Sequence, residues 1–298
     1  MRLLITGWHG QVATALVSAA AARTDITALA LGRPALDLCA PASIAGALAD
    51  GRPDVIINTA AYTAVDRAEA EREAAHALNC EGARLIAREA YRRGAAIIHL
   101  STDYVFDGTK PEPYVPSDPT APINVYGETK LAGERAVAAE NPRHAIVRTA
   151  WVYSPTGQNF LKTMLRLAEQ RDEINVVADQ RGSPTYAPHL AEALLDLARE
   201  MVARRSDDEA IWGTYHAAGS GEATWAEFAE QIFARSQRLG GACARVVPIP
   251  TTAYPTPARR PQNSRLDSSS FRQSTGRTLP DWREGVAECL EVLHRGRA

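Results

Sequence analysis

Residues 3–16 read LLITGWHGQVATAL: an apolar, β-branched run, a turn with glycines at Gly7 and Gly10, then a stretch at helical spacing. Strand, Gly-x-x-Gly turn and helix in that order form a phosphate-binding loop. The glycines let backbone amides approach a pyrophosphate, and the helix N-terminus adds partial positive charge. The fuller fingerprint has a third small residue three positions on, where Ala13 stands and still permits close packing of helix on strand. Taken alone, the turn is also what any tight strand-to-helix connection needs, so its meaning depends on its surroundings.

Those surroundings repeat the pattern. Strands are predicted at Leu3–Thr6, Thr27–Leu31, Val55–Thr59, Ala96–Ser101 and Ala145–Thr149, with alanine-rich helices such as Val12–Ala22 and Glu81–Arg93 between them. Near-continuous apolar strands alternating with crossover helices predict an α/β fold, a Rossmann-type doubly wound parallel sheet. INVVADQ (174–180) is expected to extend that sheet.

After about residue 180 the rhythm loosens. The expected division is 1–180, a dinucleotide-binding unit with the catalytic residues, and 181–298, mostly a smaller substrate-binding region with C-terminal helices. RGSPTYAPH (181–189) reads as a loop entering a helix near Leu190–Ala203, and TWAEFAEQIFARSQ (224–237) opens on the capping box Thr224-x-x-Glu227. The five prolines of residues 246–267 rule out a regular helix there and predict an ordered loop over a cleft. Helical sequence resumes at SSSFRQSTG (268–276) and DWREGVAECLEVLHR (281–295).

Composition excludes several classes of function. With 298 residues, 45% hydrophobic and 23% charged, the chain is of globular type, and a net charge of −2 gives no footprint for nucleic acid. No apolar run is long enough to span a membrane, and no leader pattern precedes the first strand, so a cytoplasmic protein is expected. The four cysteines lie far apart and the seven histidines show no ligand spacing, which predicts neither a disulfide framework nor a structural metal. His99, inside an apolar run, reads as a core residue.

The turn therefore points to a nicotinamide dinucleotide. After the second strand the sequence is LGRPALDL (31–38), where Arg33 suits a 2′-phosphate and Asp37, several residues late, suits the adenine side; this favours NADPH over NADH. The fourth strand ends in HLSTDYVFDG (99–108), placing the Thr102 hydroxyl where ligands meet a doubly wound sheet. INVYGETK (123–130) then sets Tyr126 and Lys130 on one face of the next helix. A partly buried tyrosine beside a snorkelling lysine would show the same spacing. The threonine, tyrosine and lysine in register are more specific than any one of them.

These residues resemble the extended short-chain dehydrogenases/reductases, and within them the branch that reduces dTDP-linked 4-keto-6-deoxysugars. The resemblance is carried in order along nearly the whole chain by GWHGQVA, VIINTAAYTAVDRAE, STDYVFDG, INVYGETKLAGE, RTAWVY, NFLKTMLRLA, DQRGSPTYA and RRPQNSRLD. The chain departs from the family pattern at Tyr62, where many members have histidine, and at Val12-Ala13, in place of leucine and glycine.

The resemblance implies reduction of dTDP-4-dehydro-L-rhamnose to dTDP-L-rhamnose, by hydride transfer from NADPH or NADH to the C4 carbonyl carbon. By the same likeness Tyr126 donates the proton, Lys130 holds the nicotinamide ribose and pulls the Tyr126 pKa down, and Thr102 orients the carbonyl oxygen. It assigns cofactor contacts to Gly7, Gly10, Gln11, Val12, Arg33, Asp37, Leu38, Ala60, Ala61, Tyr62, Thr63, Tyr126 and Lys130. Substrate contacts fall to Val65, Thr102, Asp103, Trp151, Asn159, Arg259, Arg260, Asn263 and Arg265. Trp151 also reads as a core aromatic, and the arginines as a solvated patch. Some relatives are magnesium-linked homodimers, and Glu288 and Glu291 invite that comparison, although a helical face of glutamates is ordinarily solvated.

Two other readings share the scaffold. One is a nucleotide-sugar 4,6-dehydratase or epimerase; a dehydratase would carry a second acid where Tyr104 stands. A non-catalytic subunit like the β subunit of methionine adenosyltransferase would not need Tyr126 and Lys130 intact.

Overall fold

The structure, a computed structural model, describes residues 1–204 and 211–296. Its first strand, β1 (Arg2–Thr6), is buried from Leu3 onward, and α1 (Gln11–Ala21) leaves the glycine turn directly. Next come β2 (Thr27–Leu31), α2 (Pro41–Gly51), begun by a proline in its first turn, and β3 (Val55–Asn58). Short helices α3 (Val65–Ala68) and α4 (Arg72–His76), a π turn at Ala77–Gly82, and α5 (Ala83–Arg92) lead to β4 (Ala96–Thr102), buried at every residue. α6 (Val125–Glu140) and β5 (His144–Thr149) follow.

The chain continues through β6 (Val152–Tyr153), α7 (Phe160–Ala168), β7 (Glu173–Val177), β8 (Arg181–Gly182), β9 (Thr185–Tyr186), α8 (Ala187–Ala203) and β10 (Gly213–His216). β11 (Ala223–Thr224), α9 (Trp225–Arg238), β12 (Arg245–Ile249), α10 (Ser269–Thr275) and α11 (Trp282–Arg295) complete it. The main sheet has six strands in the order β10-β5-β4-β3-β1-β2, with every neighbouring pair parallel. Strands without alternation, such as AIIHLST, suit this sheet because helices cover both faces. α1 and α8 bury Leu16, Leu190 and Leu194 against one face; Ile44, Leu48, Ile86 and Val137, from α2, α5 and α6, cover the other.

One expectation is corrected. Ile174–Gln180 does not extend the main sheet: β7 pairs in parallel with β12 in a separate two-stranded sheet. The free edge of β5 is taken instead by the short GTYH strand β10, delivered by α8. The burial of β7 alternates, as fits a strand with one wet face, and it covers a second core of Tyr153, Leu161, Phe228 and Trp282. The chain thus crosses the expected division near residue 180 in both directions. The start of the proline-rich segment is also a strand rather than a loop, because Pro248 lies in a two-stranded sheet where a missing donor is tolerated.

The capping box of α9 forms as expected, with Thr224 Oγ1 accepting from Glu227 N and Glu227 accepting from Thr224 N. Two glycines set how closely α6 approaches its neighbours. A Cβ on Gly127 or Gly133 would lie 2.1 Å from the Tyr104 or Asn79 carbonyl oxygen respectively. Both obstacles are backbone and cannot swing aside. Gly133→Ala is therefore expected to destabilise the protein by about 1–3 kcal/mol, a typical overpacking cost. Gly46→Ala, in a helix and with nothing within 4 Å of its Cβ, should be neutral or stabilising. Urea unfolding of both variants tests this; equal midpoints would show that α6 can shift away from the π turn.

Candidate active site

A cavity of about 940 Å³ opens beyond the carboxyl ends of β1, β3 and β4. It lies where the chain passes from β2 on one side of β1 to β3 on the other, the topological switch at which open parallel sheets bind ligands. Gly7 adopts φ 83°, and a Cβ there would press on the Ala60 backbone at 3.3 Å. Gly10 caps α1 with no side-chain bond, so the first-turn amides beside Gln11 and Val12 keep their capacity for an anion. Arg33, Asp37 and Leu38 line the far end, and the indole of Trp8 lies across Gly32 so closely that a Cβ there would fall 2.4 Å from it.

The chemistry-bearing end is built from β4 and α6. Thr102 is the last residue of β4; its hydroxyl accepts from Tyr104 N at 3.1 Å and donates to Asp103 Oδ1 at 3.0 Å. Asn124 caps α6 by accepting from Gly127 N at 2.8 Å, which starts the helix so that Tyr126 and Lys130 stand one turn apart. Lys130 is 2% exposed, and its Nζ donates to the Leu100 carbonyl at 2.6 Å and lies 3.4 Å from His99 Nε2.

The electrostatics differ from expectation at one point. Burial, reinforced by the Asp103 carboxylate and opposed by a Thr102 hydrogen bond, pushes Tyr126 up to about 12. Lys130 does not pull it down. Burial lowers Lys130 itself to about 8 against the raising effect of Glu134, and its ammonium is directed at a carbonyl. Tyr126 is therefore firmly protonated, the state in which a phenol can donate. Burial also raises Asp103 to about 7, hydrogen bonds only partly offsetting it.

The cavity fits a polar ligand. Ser101 Oγ, Asp103 Oδ2 and Thr149 Oγ1 are buried without a partner among the described residues, and all three residues line it. A dinucleotide fits the other end, where Gly7 and the uncapped turn of α1 supply close backbone approach and amide donors.

Most expected site residues meet here: Gly7, Gly10, Gln11, Val12, Arg33, Asp37, Leu38, Ala60, Ala61, Thr63, Val65, Thr102, Asp103, Tyr126, Lys130 and Trp151 all line the cavity. Trp151, held at φ 46°, stacks on Trp225 with ring centroids 3.5 Å apart. Others lie outside it. Tyr62 turns away to donate to Glu71 at 2.5 Å, and Asn159 caps α7 while donating to Gln11 Oε1 and to the Ser154 carbonyl. Arg260 pairs with Asp66 at 2.8 Å, and Asn263 holds the Lys110 and Glu112 carbonyls. Arg265 binds Glu222 and the Pro111 carbonyl, whereas the exposed Arg259 side chain has no partner among the described residues. Trp8, Tyr104 and Trp225 line the cavity and were not anticipated. Tyr104 directly follows Asp103 and Trp225 directly follows the cap Thr224, so position next to a recognised residue was the available signal.

Glu288 pairs with His189 and Glu291 with Arg235 inside the chain, and the described residues hold no cluster of three or more metal-ligating side chains. No helix among them is long and apolar enough to cross a membrane.

Comparison with known proteins places this geometry. The family described as RmlD substrate binding domain matches residues 1–295. The chain is 50% identical over 293 residues to a dTDP-4-dehydrorhamnose reductase of Sinorhizobium fredii, covering 98% of both chains. It is 44% identical over 299 residues to that of Escherichia coli K12, again covering 98% of each. Among solved structures it resembles the dTDP-4-dehydrorhamnose reductase of Bacillus anthracis in complex with NADP, with a TM-score of 0.89, 36% identity, and coverage of 98% of this chain and 99% of that one.

The raised Asp103 carboxyl has a consequence for stability. Between its ordinary value of 3.8 and about 7 the folded protein holds a proton that the unfolded chain has lost. Its contribution is present below that window and is lost as pH rises through it. Relative to Asp103→Asn, which stays neutral, the wild type should lose stability from about pH 4 to pH 7 and then hold a constant difference. Parallel urea midpoints at every pH would mean that the carboxyl ionises in the folded state as it does in water.

Proposed function

The chain belongs to the RmlD substrate binding domain family, and from that membership we propose that it reduces dTDP-4-dehydro-L-rhamnose to dTDP-L-rhamnose at the expense of NADPH. The observation that carries the proposal is the convergence of Thr102, Tyr126 and Lys130 on one cavity that also holds the Gly7 turn. When bound, the nicotinamide supplies the hydride to the C4 carbonyl carbon. Tyr126, protonated at neutral pH, gives its phenolic proton to the carbonyl oxygen as charge develops there. Thr102, at the end of β4, can turn its hydroxyl to the same oxygen and orient it. Lys130, whose residue lines the same cavity, supplies an ammonium for the ribose hydroxyls of the nicotinamide half.

The remaining contacts follow from what each side chain has free. The stacked Trp151 and Trp225 give the deoxysugar an apolar wall, while Asp103 and Val65 meet its ring. Of the four residues of the proline-rich loop expected to meet substrate, Arg259 is the one whose side chain remains available for the nucleotide diphosphate. Its soluble substrate and cofactor suit the cytoplasm.

The test is stoichiometry. Enzyme supplied with NADPH and dTDP-4-dehydro-L-rhamnose should form one sugar alcohol for each NADPH oxidised, and Tyr126→Phe should lose about 10²–10⁴ in kcat while still binding NADPH. Sugar turnover with no loss of reduced cofactor would instead indicate an internal redox cycle of the dehydratase or epimerase kind. Arg33, exposed at the adenosine end, is proposed to read the 2′-phosphate. Arg33→Ala should raise KM for NADPH by about one to two decades and leave NADH nearly unchanged, the worth of a charge-assisted pair. Equal changes for both cofactors would remove Arg33 from that role.

A further inference from the structure

The hydrogen bonds beneath Lys130 have a direction that can be read from donors and acceptors alone. At the end of β1, Thr6 Oγ1 accepts the backbone N–H groups of Thr59 at 3.1 Å and Ala60 at 3.0 Å. Its own proton is therefore free to go to Asn58 Oδ1, 2.6 Å away. That fixes the amide, so the Asn58 Nδ2 group faces His99 Nδ1 at 2.9 Å, and an NH₂ can only donate. His99 Nδ1 is then the acceptor, the ring proton sits on Nε2, and Nε2 is the atom that faces Lys130 Nζ at 3.4 Å. A charged ammonium has three donors and no acceptor, so that contact is donor against donor.

We propose that His99 is a positioning residue that sets the proton affinity of Lys130: locked as its Nε2–H tautomer by Thr6 and Asn58, it opposes the charged lysine and donates to the uncharged one. When Lys130 loses its proton to water in the cavity, one N–H bond breaks and the electron pair stays on nitrogen. That lone pair is what His99 Nε2–H can then use. His99 itself does not share the charge, because burial and the nearby Lys130 hold its pKa well below the usual imidazole value. The other groups around Lys130 act differently. Glu134, one turn along α6, favours the charged form, but it is tied to Arg148 of β5 by bonds of 2.9 and 2.7 Å. Tyr126 and Asp103 share the cavity with Lys130, and the π turn presents the neutral Asn79 to α6.

The chain has three lysines, Lys110, Lys130 and Lys162, so a [¹³C]lysine-labelled protein gives three Cε resonances, and loss of one in Lys130→Met assigns it. The titration needs no substrate or cofactor. The proposal takes its catalytic meaning from the reductase reading, yet the two can fail separately. In wild type the Lys130 midpoint should lie well below the ordinary lysine value. In His99→Leu, which removes the opposing donor, and in Asn58→Leu, which keeps the imidazole but frees its tautomer, it should rise by about one unit. The alkaline limb of kcat should move with it. Should His99→Leu fail to fold, Asn58→Leu alone decides. A midpoint unchanged in the folded variants, with activity merely lower at every pH, would overturn the proposal and leave His99 a packing residue.

Discussion

A lysine ammonium buried beside the end of a parallel sheet is the constraint to which the rest of the site answers. Lys130 is 2% exposed and has no direct carboxylate partner among the described residues; it is held by the Leu100 carbonyl. A cation can be placed so only if its helix lies hard against the strand that offers the acceptor, since charge removed from water without partners is costly. That closeness requires Gly127 and Gly133, two weak helix formers in one helix, where side chains would strike the carbonyls of Tyr104 and Asn79. The π turn answers the same demand: there the Asn79 side chain accepts from Tyr62 N and donates to Thr129, tying the loop after β3 to α6.

Much of this was legible in the sequence, for physical reasons that differ by element. β1, β3 and β4 are buried on both faces and announce themselves as unbroken apolar runs, and the turn at Gly7 and Gly10 has a backbone requirement few residues meet. Tyr126 and Lys130 share a helix face by spacing alone, and Thr224 caps its helix through the box that its spacing to Glu227 announces. β10 was not legible: GTYH is short, and nothing local says that it joins β5 rather than β7 doing so. Pairing between distant segments depends on which edge is open, which is a property of the assembled sheet.

The site residues divide in the same way. Those fixed by backbone geometry or by spacing within one element, from Gly7 to Lys130, meet in the cavity. The positions in the proline-rich loop carry the right chemistry, but their side chains have nearer claims: Arg260 on Asp66, Asn263 on two carbonyls, Arg265 on Glu222. Composition shows that a guanidinium is present, not what it is already bound to. His99 shows the converse, since its apolar surroundings suggested a core residue and it is indeed buried, yet its ring reaches the lysine on which the chemistry turns.

The late arrival of β10 bears on how such a chain is made. A ribosome delivers β1 to β5 first, but the outer edge of β5 and the apolar flank of α1 find their covers only in β10 and α8. Until those segments emerge, the nascent sheet exposes an unpaired strand edge of the kind that recruits other chains. Completion of the nucleotide-binding half is thus postponed until much of the remaining chain has been synthesised. A fragment ending after β5 would retain the glycine turn, Thr102, Tyr126 and Lys130, and still lack the strand that makes its sheet safe to expose.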